Sequence, residues 1–255
     1  MTNNYILAIS GNDIFSGGGL YADLATYTTN KLHGFLAVTC LTALTEKGFD
    51  VFATDETVFS HQLNSLKDVP FSGIKLGLLP NVTIADLALD FVKTHQEIPI
   101  VLDPVLVCKE KHDVEVSALR DELLKFFPYG TIITPHLVEA ELLTQKSIKT
   151  LDDMKAAAKQ LHQLGAKYVV VKGGNRLSQD KAIDVFYDGE DWTVLESPVL
   201  DNNNIGAGCT FASSIASQLV LGHSPKEAVK LSKDFVYQAI RHSDQYGVKQ
   251  NYEKN

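Results

Sequence analysis

The sequence predicts a three-layer α/β/α fold with a mainly parallel central sheet. Short apolar runs rich in β-branched residues alternate with longer segments of helical period along the 255 residues. Parallel strands need long crossover connections, so this alternation indicates a sheet covered by helices on both faces. No linker, repeat or low-complexity stretch divides the chain, and we therefore predict a single domain over residues 1–255.

Five short runs are the predicted buried strands, because each is brief, β-branched and followed by Gly, Pro or Asp. They are Tyr5–Ser10, Ser72–Leu78, Ile98–Leu102, Thr131–Thr134 and Tyr168–Lys172. A later pair, Ala182–Tyr187 and Trp192–Glu196, is joined through Asp188-Gly189-Glu190-Asp191 and predicts a hairpin at the end of the sheet.

The helices between the strands have recognisable starting signals. Thr150 followed by Asp153 predicts an N-terminus, and the helix it opens is stopped by Gly165. The tetrapeptide Ser224-Pro225-Lys226-Glu227 predicts another, with an N-cap serine, proline at the first position and glutamate completing a capping box. Two further helical patterns, Leu20–Asn30 and Phe211–Leu221, follow glycine-rich stretches.

Composition excludes several classes of protein. The chain has 23 basic and 31 acidic residues, a net charge of −8, and such a balance offers no field for holding a nucleic acid. No apolar stretch approaches the roughly 18–20 residues that a membrane helix requires. The three cysteines, Cys40, Cys108 and Cys209, are odd in number and widely spaced, which argues against a disulfide framework or a zinc site and favours a cytoplasmic protein.

Polar and glycine-rich groups follow each predicted strand. They are S-G-N-D at 10–13, K-L-G at 75–77, D-P at 103–104, T-P-H at 134–136 and K-G-G at 172–174. Turns favour the same residue types. However, the carboxyl ends of parallel strands share one edge, where open α/β sheets bind ligands. Five such groups together, with two lysines and two aspartates, favour a binding site.

Three glycine-rich stretches could hold a phosphate: 17–19, 173–174 and 206–210. None is a Walker A loop, since no Gly-Lys dipeptide occurs in the chain, and Phe211 breaks the G-x-G-x-x-G pattern of nicotinamide oxidoreductases. The third stretch opens a helix, so its free amides can stabilise a phosphoryl group in its transition state.

Two interpretations of the third stretch stay open. The helix N-terminus should favour the thiolate of Cys209, which makes this residue available as a base. Equally, the glycines could allow close helix packing, with Cys209 a small buried hydrophobe. Cys108 precedes a lysine on a polar loop five residues after Asp103, which favours a reactive thiol, whereas Cys40 lies in the apolar run Phe35–Leu44 and is a predicted core residue.

Six motifs in order identify a family resemblance. They are S-G-N-D-I-F-S-G-G-G-L-Y-A-D-L at 10–24, K-L-G-L-L at 75–79, D-P-V-L-V at 103–107, T-P-H-L-V-E-A at 134–140, K-G-G at 172–174 and G-A-G-C-T at 206–210. With them the chain resembles the ribokinase-like superfamily, in the branch that phosphorylates vitamin B6 and the hydroxymethylpyrimidine precursor of thiamine. The resemblance implies a ribokinase-like fold, a homodimer, and phosphoryl transfer from ATP with Mg²⁺.

Two positions favour pyridoxal as the substrate. Val107-Cys108-Lys109 is similar to the lid of Gram-positive vitamin B6 kinases, whose cysteine adds to the aldehyde of pyridoxal as a hemithioacetal. Leu44 stands where pyrimidine kinases place a glutamine that hydrogen-bonds the ring substituents. Hydroxymethylpyrimidine or its phosphate is the alternative main or second substrate, and a non-catalytic vitamin-binding protein is the second alternative.

The resemblance also implies a role for each matching residue. Cys209 is the general base, Cys108 holds the aldehyde, and the amides of Gly206, Ala207 and Gly208 stabilise the transferring phosphoryl group. The ring pocket comprises Asp13, Gly18, Asp23 and Leu44. The ATP site comprises Lys172, Gly174, His136, Glu139 and Thr210. Mg²⁺ is organised through water by Asp103 and Glu139.

Four residues depart from the family pattern. His136 replaces an asparagine, Asn12 a serine and Ile205 a common histidine, while Phe15 enlarges the segment before the first glycines. These changes leave the reaction class intact and affect the expected rate and substrate range. His136 and Ile205 are also the reason for keeping the non-catalytic alternative.

Overall fold

A computed structural model describes residues 4–106 and 113–252 of the chain. The strands are β1 (Tyr5–Ser10), β2 (His33–Val38), β3 (Cys40–Thr45), β4 (Gly48–Ala53), β5 (Gly73–Leu76), β6 (Ile100–Leu102), β7 (Ile132–Ile133), β8 (Tyr168–Lys172), β9 (Lys181–Tyr187) and β10 (Trp192–Pro198). The helices are α1 (Gly19–Thr29), α2 (Glu56–Leu66), α3 (Val82–Lys93), α4 (Asp113–Leu124), α5 (Leu137–Thr144), α6 (Leu151–Gln163), α7 (Ala207–Val220) and α8 (Pro225–Arg241).

Eight strands form the central sheet in the order β10-β9-β8-β7-β6-β5-β1-β2. All neighbours from β2 to β8 pair parallel, whereas β8, β9 and β10 pair antiparallel. The predicted mainly parallel α/β class is therefore confirmed. All five predicted strands and the later hairpin form, although several predicted strands are shorter than their apolar runs.

Alternate residues of the sheet enter two hydrophobic cores. Leu7 and Ile9 of β1 pack in a core with helices α2 to α6, whereas Ile6 and Ala8 pack on the opposite face with α1, α7 and α8. Burying a large aliphatic side chain is worth about 1.5–3 kcal/mol, so strands buried on both faces stabilise the sheet strongly. This double burial explains why the strands appear as continuous apolar runs in the sequence.

The second sheet is a two-stranded antiparallel ribbon of β3 and β4, and the sequence analysis missed it. The apolar run Phe35–Leu44 is divided at Thr39, whose hydroxyl donates to the Leu78 carbonyl at 2.6 Å. Residues before Thr39 belong to the central sheet and residues after it to the ribbon. Cys40 is fully buried, as predicted.

The predicted helix caps are confirmed at one site and half formed at another. Thr150 and Asp153 make a complete capping box, with each side chain accepting from the other residue's amide. Ser224 accepts from the amide of Glu227 at 3.4 Å, but the Glu227 carboxylate instead lies 3.5 Å from Nδ1 of His223. Within residues 4–106 and 113–252, no helix has both the length and the apolar character needed to cross a membrane.

Candidate active site

The carboxyl ends of β6, β7 and β8 bring three predicted motifs into direct contact. Asp103 follows β6, Thr134 follows β7 and Lys172 ends β8. Lys172 Nζ donates to Asp103 Oδ1 at 2.7 Å, and Thr134 Oγ1 donates to the same oxygen at 3.1 Å. The expectation that these strand ends form one site therefore agrees with their geometry.

The first turn of α7 lies over this cluster. A Cβ atom on Gly208 would lie 3.4 Å from Lys172 Nζ and 4.0 Å from Asp103 Oδ2. Gly208, Ala207 and Lys172 also line one cavity, so the open space beside Gly208 is faced by one cation, one carboxylate and the amides at a helix N-terminus. Such an arrangement suits a phosphoryl group.

The loop after β1 meets the same helix from the other side. Asp13 holds this loop, since its carboxylate accepts from the amides of Phe15 at 3.0 Å and Gly18 at 2.9 Å. A Cβ atom on Gly18 would lie 3.6 Å from Cys209 Sγ and 3.7 Å from Asp13 Oδ2. Asp13, Gly18 and Cys209 therefore converge at the N-terminal end of α7.

Asp103 and Lys172 form a buried charge pair. Burial raises the pKa of Asp103, but the charges of Lys172 and Lys75 outweigh it and hold this pKa below its usual value. Burial lowers the pKa of Lys172, yet the charges of Asp103 and Glu139 keep it above its usual value. Both groups are therefore charged at neutral pH, which leaves a fixed cation beside the open space over Gly208.

The protonation state of Cys209 differs from the expectation. Burial raises the pKa of the Cys209 thiol to about 11, against the charge of Lys75, which lowers it. The prediction that the helix N-terminus favours the thiolate is therefore wrong, because burial raises this pKa by more than the charge of Lys75 and the hydrogen bond from the Gly19 backbone lower it. Cys209 is a thiol at neutral pH, and its use as a base requires loss of that proton.

His136 and Glu139 cap the first turn of α5. Glu139 Oε2 accepts from the His136 amide at 2.8 Å, and His136 Nδ1 accepts from the Glu139 amide at 3.3 Å. Burial and the charge of Lys172 lower the pKa of His136 to about 4. Burial raises the pKa of Glu139 to about 8, with Lys172 opposing and Asp103 adding to the shift. The family's asparagine can thus be replaced by a neutral imidazole with the cap retained.

Two predicted ligand-binding residues lie inside the protein instead. Asp23 was expected in the ring pocket, but it is fully buried and its carboxylate is bound by Lys75 Nζ at 2.8 Å and by the Ser213 hydroxyl. Thr210 was expected at ATP, but it is also fully buried, and its hydroxyl accepts from Gln250 Nε2 at 2.9 Å. Asp23 and Thr210 therefore stabilise the elements that carry the site through buried hydrogen bonds.

The remaining predicted residues have different settings. Leu44 lies on β3 and is 66% exposed. Two residues before it, the Thr42 hydroxyl accepts from the Ile14 amide at 2.9 Å. Gly174 is exposed, with a left-handed φ of +55°. Cys108 lies outside the described residues, in the segment 107–112.

A cavity of about 380 Å³ extends from the α7 N-terminus, past the end of β8, to β9, β10 and α8. Its lining includes the predicted residues His136, Lys172, Gly174, Ala207 and Gly208. It also includes residues that the sequence analysis missed, namely Arg176, Asp184, Lys233 and Tyr237.

Asp184 braces the K-G-G motif within this cavity. Asp184 accepts from the Gly173 amide at 3.0 Å and pairs with Lys233 Nζ at 2.7 Å. Asp184 and Lys233 could not be predicted, because neither belongs to a recognisable motif. A single aspartate in a hairpin and a single lysine within a helix occur in many structural roles.

The Asp103 carboxylate suits a magnesium ion that is bound jointly by the protein and by nucleotide phosphates. Mg²⁺ is usually held by one or two protein carboxylates, water and substrate phosphates, with no complete protein cage. Asp103 fits this role, since its Oδ2 faces the open space over Gly208. Within the described part of the chain, no group of three or more His, Cys, Asp or Glu side chains is placed so that it could hold a metal ion.

A helix N-terminus beside a lysine and a cavity of about 380 Å³, with a second polar loop on its other side, suits a small-molecule kinase. Residues 13–254 match the phosphomethylpyrimidine kinase family, and the chain belongs to it. The predicted kinase class is therefore confirmed.

Relatives and solved structures within this family are similar over nearly the whole chain. The chain is 39% identical over 253 residues to the pyridoxine kinase of Bacillus subtilis, which covers 95% of this chain and 92% of that protein. It is 33% identical over 248 residues to the hydroxymethylpyrimidine/phosphomethylpyrimidine kinase of Aquifex aeolicus, covering 94% and 96%. The ADP complex of Bacillus subtilis pyridoxal kinase has a TM-score of 0.91 at 38% identity, covering 96% and 97%.

Proposed function

We propose that this kinase transfers the γ-phosphoryl group of ATP to the 5′-hydroxymethyl group of pyridoxal. The observation that carries the proposal is the position of the α7 N-terminus between two polar sites. Asp13, Gly18 and Cys209 lie on one side, and the Lys172–Asp103 pair with its cavity lies on the other. The similarity to pyridoxine and pyridoxal kinases supports vitamin B6 as the substrate class.

In the proposed reaction the substrate hydroxyl lies beside Cys209. Its oxygen bonds to the γ-phosphorus, the bond from that phosphorus to the β–γ bridging oxygen breaks, and ADP leaves. The hydroxyl proton passes to the Cys209 sulfur in its thiolate form. The amides of the anion loop, residues 206–209, stabilise the charge of the transferring group, and Lys172 binds the nucleotide phosphates.

Magnesium, assembly and location complete the proposal. Asp103 and Glu139 would hold Mg²⁺ through water, and the ion would neutralise charge on the phosphates. We also propose a homodimer in the cytoplasm. The family resemblance supports the dimer, and the cysteine content supports the location.

The alternative substrate is hydroxymethylpyrimidine or its phosphate, and the similarity to the Aquifex aeolicus enzyme favours it. Steady-state kinetics on pyridoxal, pyridoxine and hydroxymethylpyrimidine decide between the two. We expect the highest kcat/KM for pyridoxal, and a higher value for hydroxymethylpyrimidine would contradict the proposal. ATP consumption that depends on added pyridoxal would exclude a non-catalytic vitamin-binding protein.

Replacing Cys108 should lower the activity towards pyridoxal but leave the activity towards pyridoxine nearly unchanged. We propose that the thiol adds to the pyridoxal aldehyde: an S–C bond forms, the C=O double bond becomes a C–O single bond, and the thiol proton moves to that oxygen. Cys108→Ala should therefore lower kcat/KM for pyridoxal by about tenfold or more, a loss of at least ~1.4 kcal/mol in transition-state stabilisation. Pyridoxine has no aldehyde, so its kcat/KM is the internal control and should stay within about twofold. Equal losses on both substrates would rule out the hemithioacetal.

A further inference from the structure

The C-terminal segment, residues 244–250, is bound to both ends of the anion loop. Asn203 Nδ2 donates to the Asp244 carbonyl at 2.9 Å, and the Val248 amide donates to the Ile205 carbonyl at 3.0 Å. These two bonds hold the residues that lead into the loop. At the far end, Gln250 contacts the helical turn that follows it.

Gly17, Gly206 and Gly247, which are far apart in sequence, lie next to one another in the structure. A Cβ atom on Gly206 would lie only 1.6 Å from the Gly17 carbonyl oxygen. A Cβ atom on Gly247 would lie 2.8 Å from both Gly17 Cα and the Ile205 carbonyl oxygen. The C-terminal segment therefore touches the loop after β1 and the anion loop at the place where these two are in direct backbone contact.

Gln250 contacts the first turn of α7 from the protein interior. Its side chain is 1% exposed, and Nε2 donates to Thr210 Oγ1, which is itself fully buried. The Thr210 amide donates to the Gly206 carbonyl at 2.9 Å, so the same residue links Gln250 to the anion loop. Thr210 also directly follows Cys209, the proposed base, in the first turn of α7.

We propose that the C-terminal segment is a positioning part of the active site. Gly247 sets the separation between the loop after β1 and the anion loop, and Gln250 fixes the turn that carries Cys209. This inference rests on the proposed function, and neither residue is assigned a contact with substrate. A misplacement of about 1 Å at a reacting group can lower a rate by about 10²-fold, so small packing changes here should reach turnover.

Gly247→Ala tests the first part with one added methyl group. We expect kcat for pyridoxal to fall by about 10–100-fold, while KM for ATP stays within about threefold because most of the nucleotide cavity is unchanged. Gly222→Ala is the matched control, since Gly222 also has a positive φ, +90°, but its new Cβ would have no heavy atom of the described residues within 4 Å. A kcat within twofold of the parent in Gly247→Ala would overturn the role of Gly247.

Gln250→Met and Gln250→Met/Thr210→Val test the second part and separate positioning from stability. The single change leaves a buried hydroxyl without its donor, whereas the double change removes both polar groups. If Gln250 positions the turn, the double variant regains most of the lost Tm but keeps a kcat about tenfold or more below the parent chain. Recovery of kcat together with Tm would overturn the role of Gln250.

The parent chain is assayed first with pyridoxal and ATP. Failure of the parent to form a phosphorylated product would contradict the proposed function itself. An active parent with equally active variants would contradict only the positioning role. If Gly247→Ala does not fold, the Gln250 variants still test whether the C-terminal segment positions the active site.

Discussion

The Cys209→Ala variant is expected to lose at least about 10²–10⁴-fold in kcat, the usual cost of removing a positioned base. Cys209 lies at the first turn of α7, and its sulfur is 3.6 Å from the position that a Cβ on Gly18 would take. The anion-loop amides and Lys172 are unaffected by the change, so KM for ATP should change little. Single-turnover and steady-state rates with pyridoxal measure the effect, and near-normal turnover would contradict the assignment.

The pH dependence provides an independent test of the same residue. Burial raises the pKa of the Cys209 thiol to about 11, so the basic thiolate becomes more abundant as pH rises towards that value. We therefore expect kcat/KM to increase from pH 7 to 9 in the parent chain, and the increase to disappear in Cys209→Ala. Cys209→Asp restores a base of the kind more usual in the superfamily and should exceed the alanine variant in kcat. A profile shared by the parent and the alanine variant would assign the titration to another group.

The sheet and the edge that binds ligands could be predicted because their signals are local. A β-branched run followed by Gly, Pro or Asp fixes a strand and its end, and parallel pairing then brings the ends together. This topology places Asp103 and Lys172, 69 positions apart in sequence, at the same edge of the sheet, where the structure shows them in contact. The ribbon of β3 and β4 was missed because the apolar run Phe35–Leu44 does not show where the chain changes sheets.

The orientation of side chains within the motifs could not be predicted. Asp23 and Thr210 are motif residues, yet each is fully buried and bound by a residue far away in sequence, Lys75 and Gln250 respectively. Sequence spacing assigns such residues to a helix or a loop, but it does not determine whether their side chains face the ligand site or the protein interior. The protonation of Cys209 was missed for a related reason, since desolvation depends on neighbours from several elements.

Lys75→Met is expected to lower the free energy of unfolding by about 3–5 kcal/mol, the usual cost of breaking a buried ion pair from one side. Lys75 and Asp23 are both fully buried, and Nζ lies 2.8 and 3.1 Å from the two carboxylate oxygens. Burial lowers the pKa of Lys75, but Asp23 outweighs it and keeps this pKa above its usual value, so the lysine is charged. Removing Lys75 leaves the buried Asp23 carboxylate without its cation, while the Ser213 hydroxyl still donates to it.

Lys93→Met is the matched control for this substitution. Lys93 pairs with Asp90 at 2.9 Å, but the two side chains are 42% and 75% exposed, so the change should cost less than about 1 kcal/mol. The double variant Lys75→Met/Asp23→Asn removes both charges and should recover most of the stability lost by the single change. Urea unfolding at constant m-value compares all three. Equal midpoints for Lys75→Met and Lys93→Met would contradict the prediction, since they would show that the buried pair contributes no more than an exposed one.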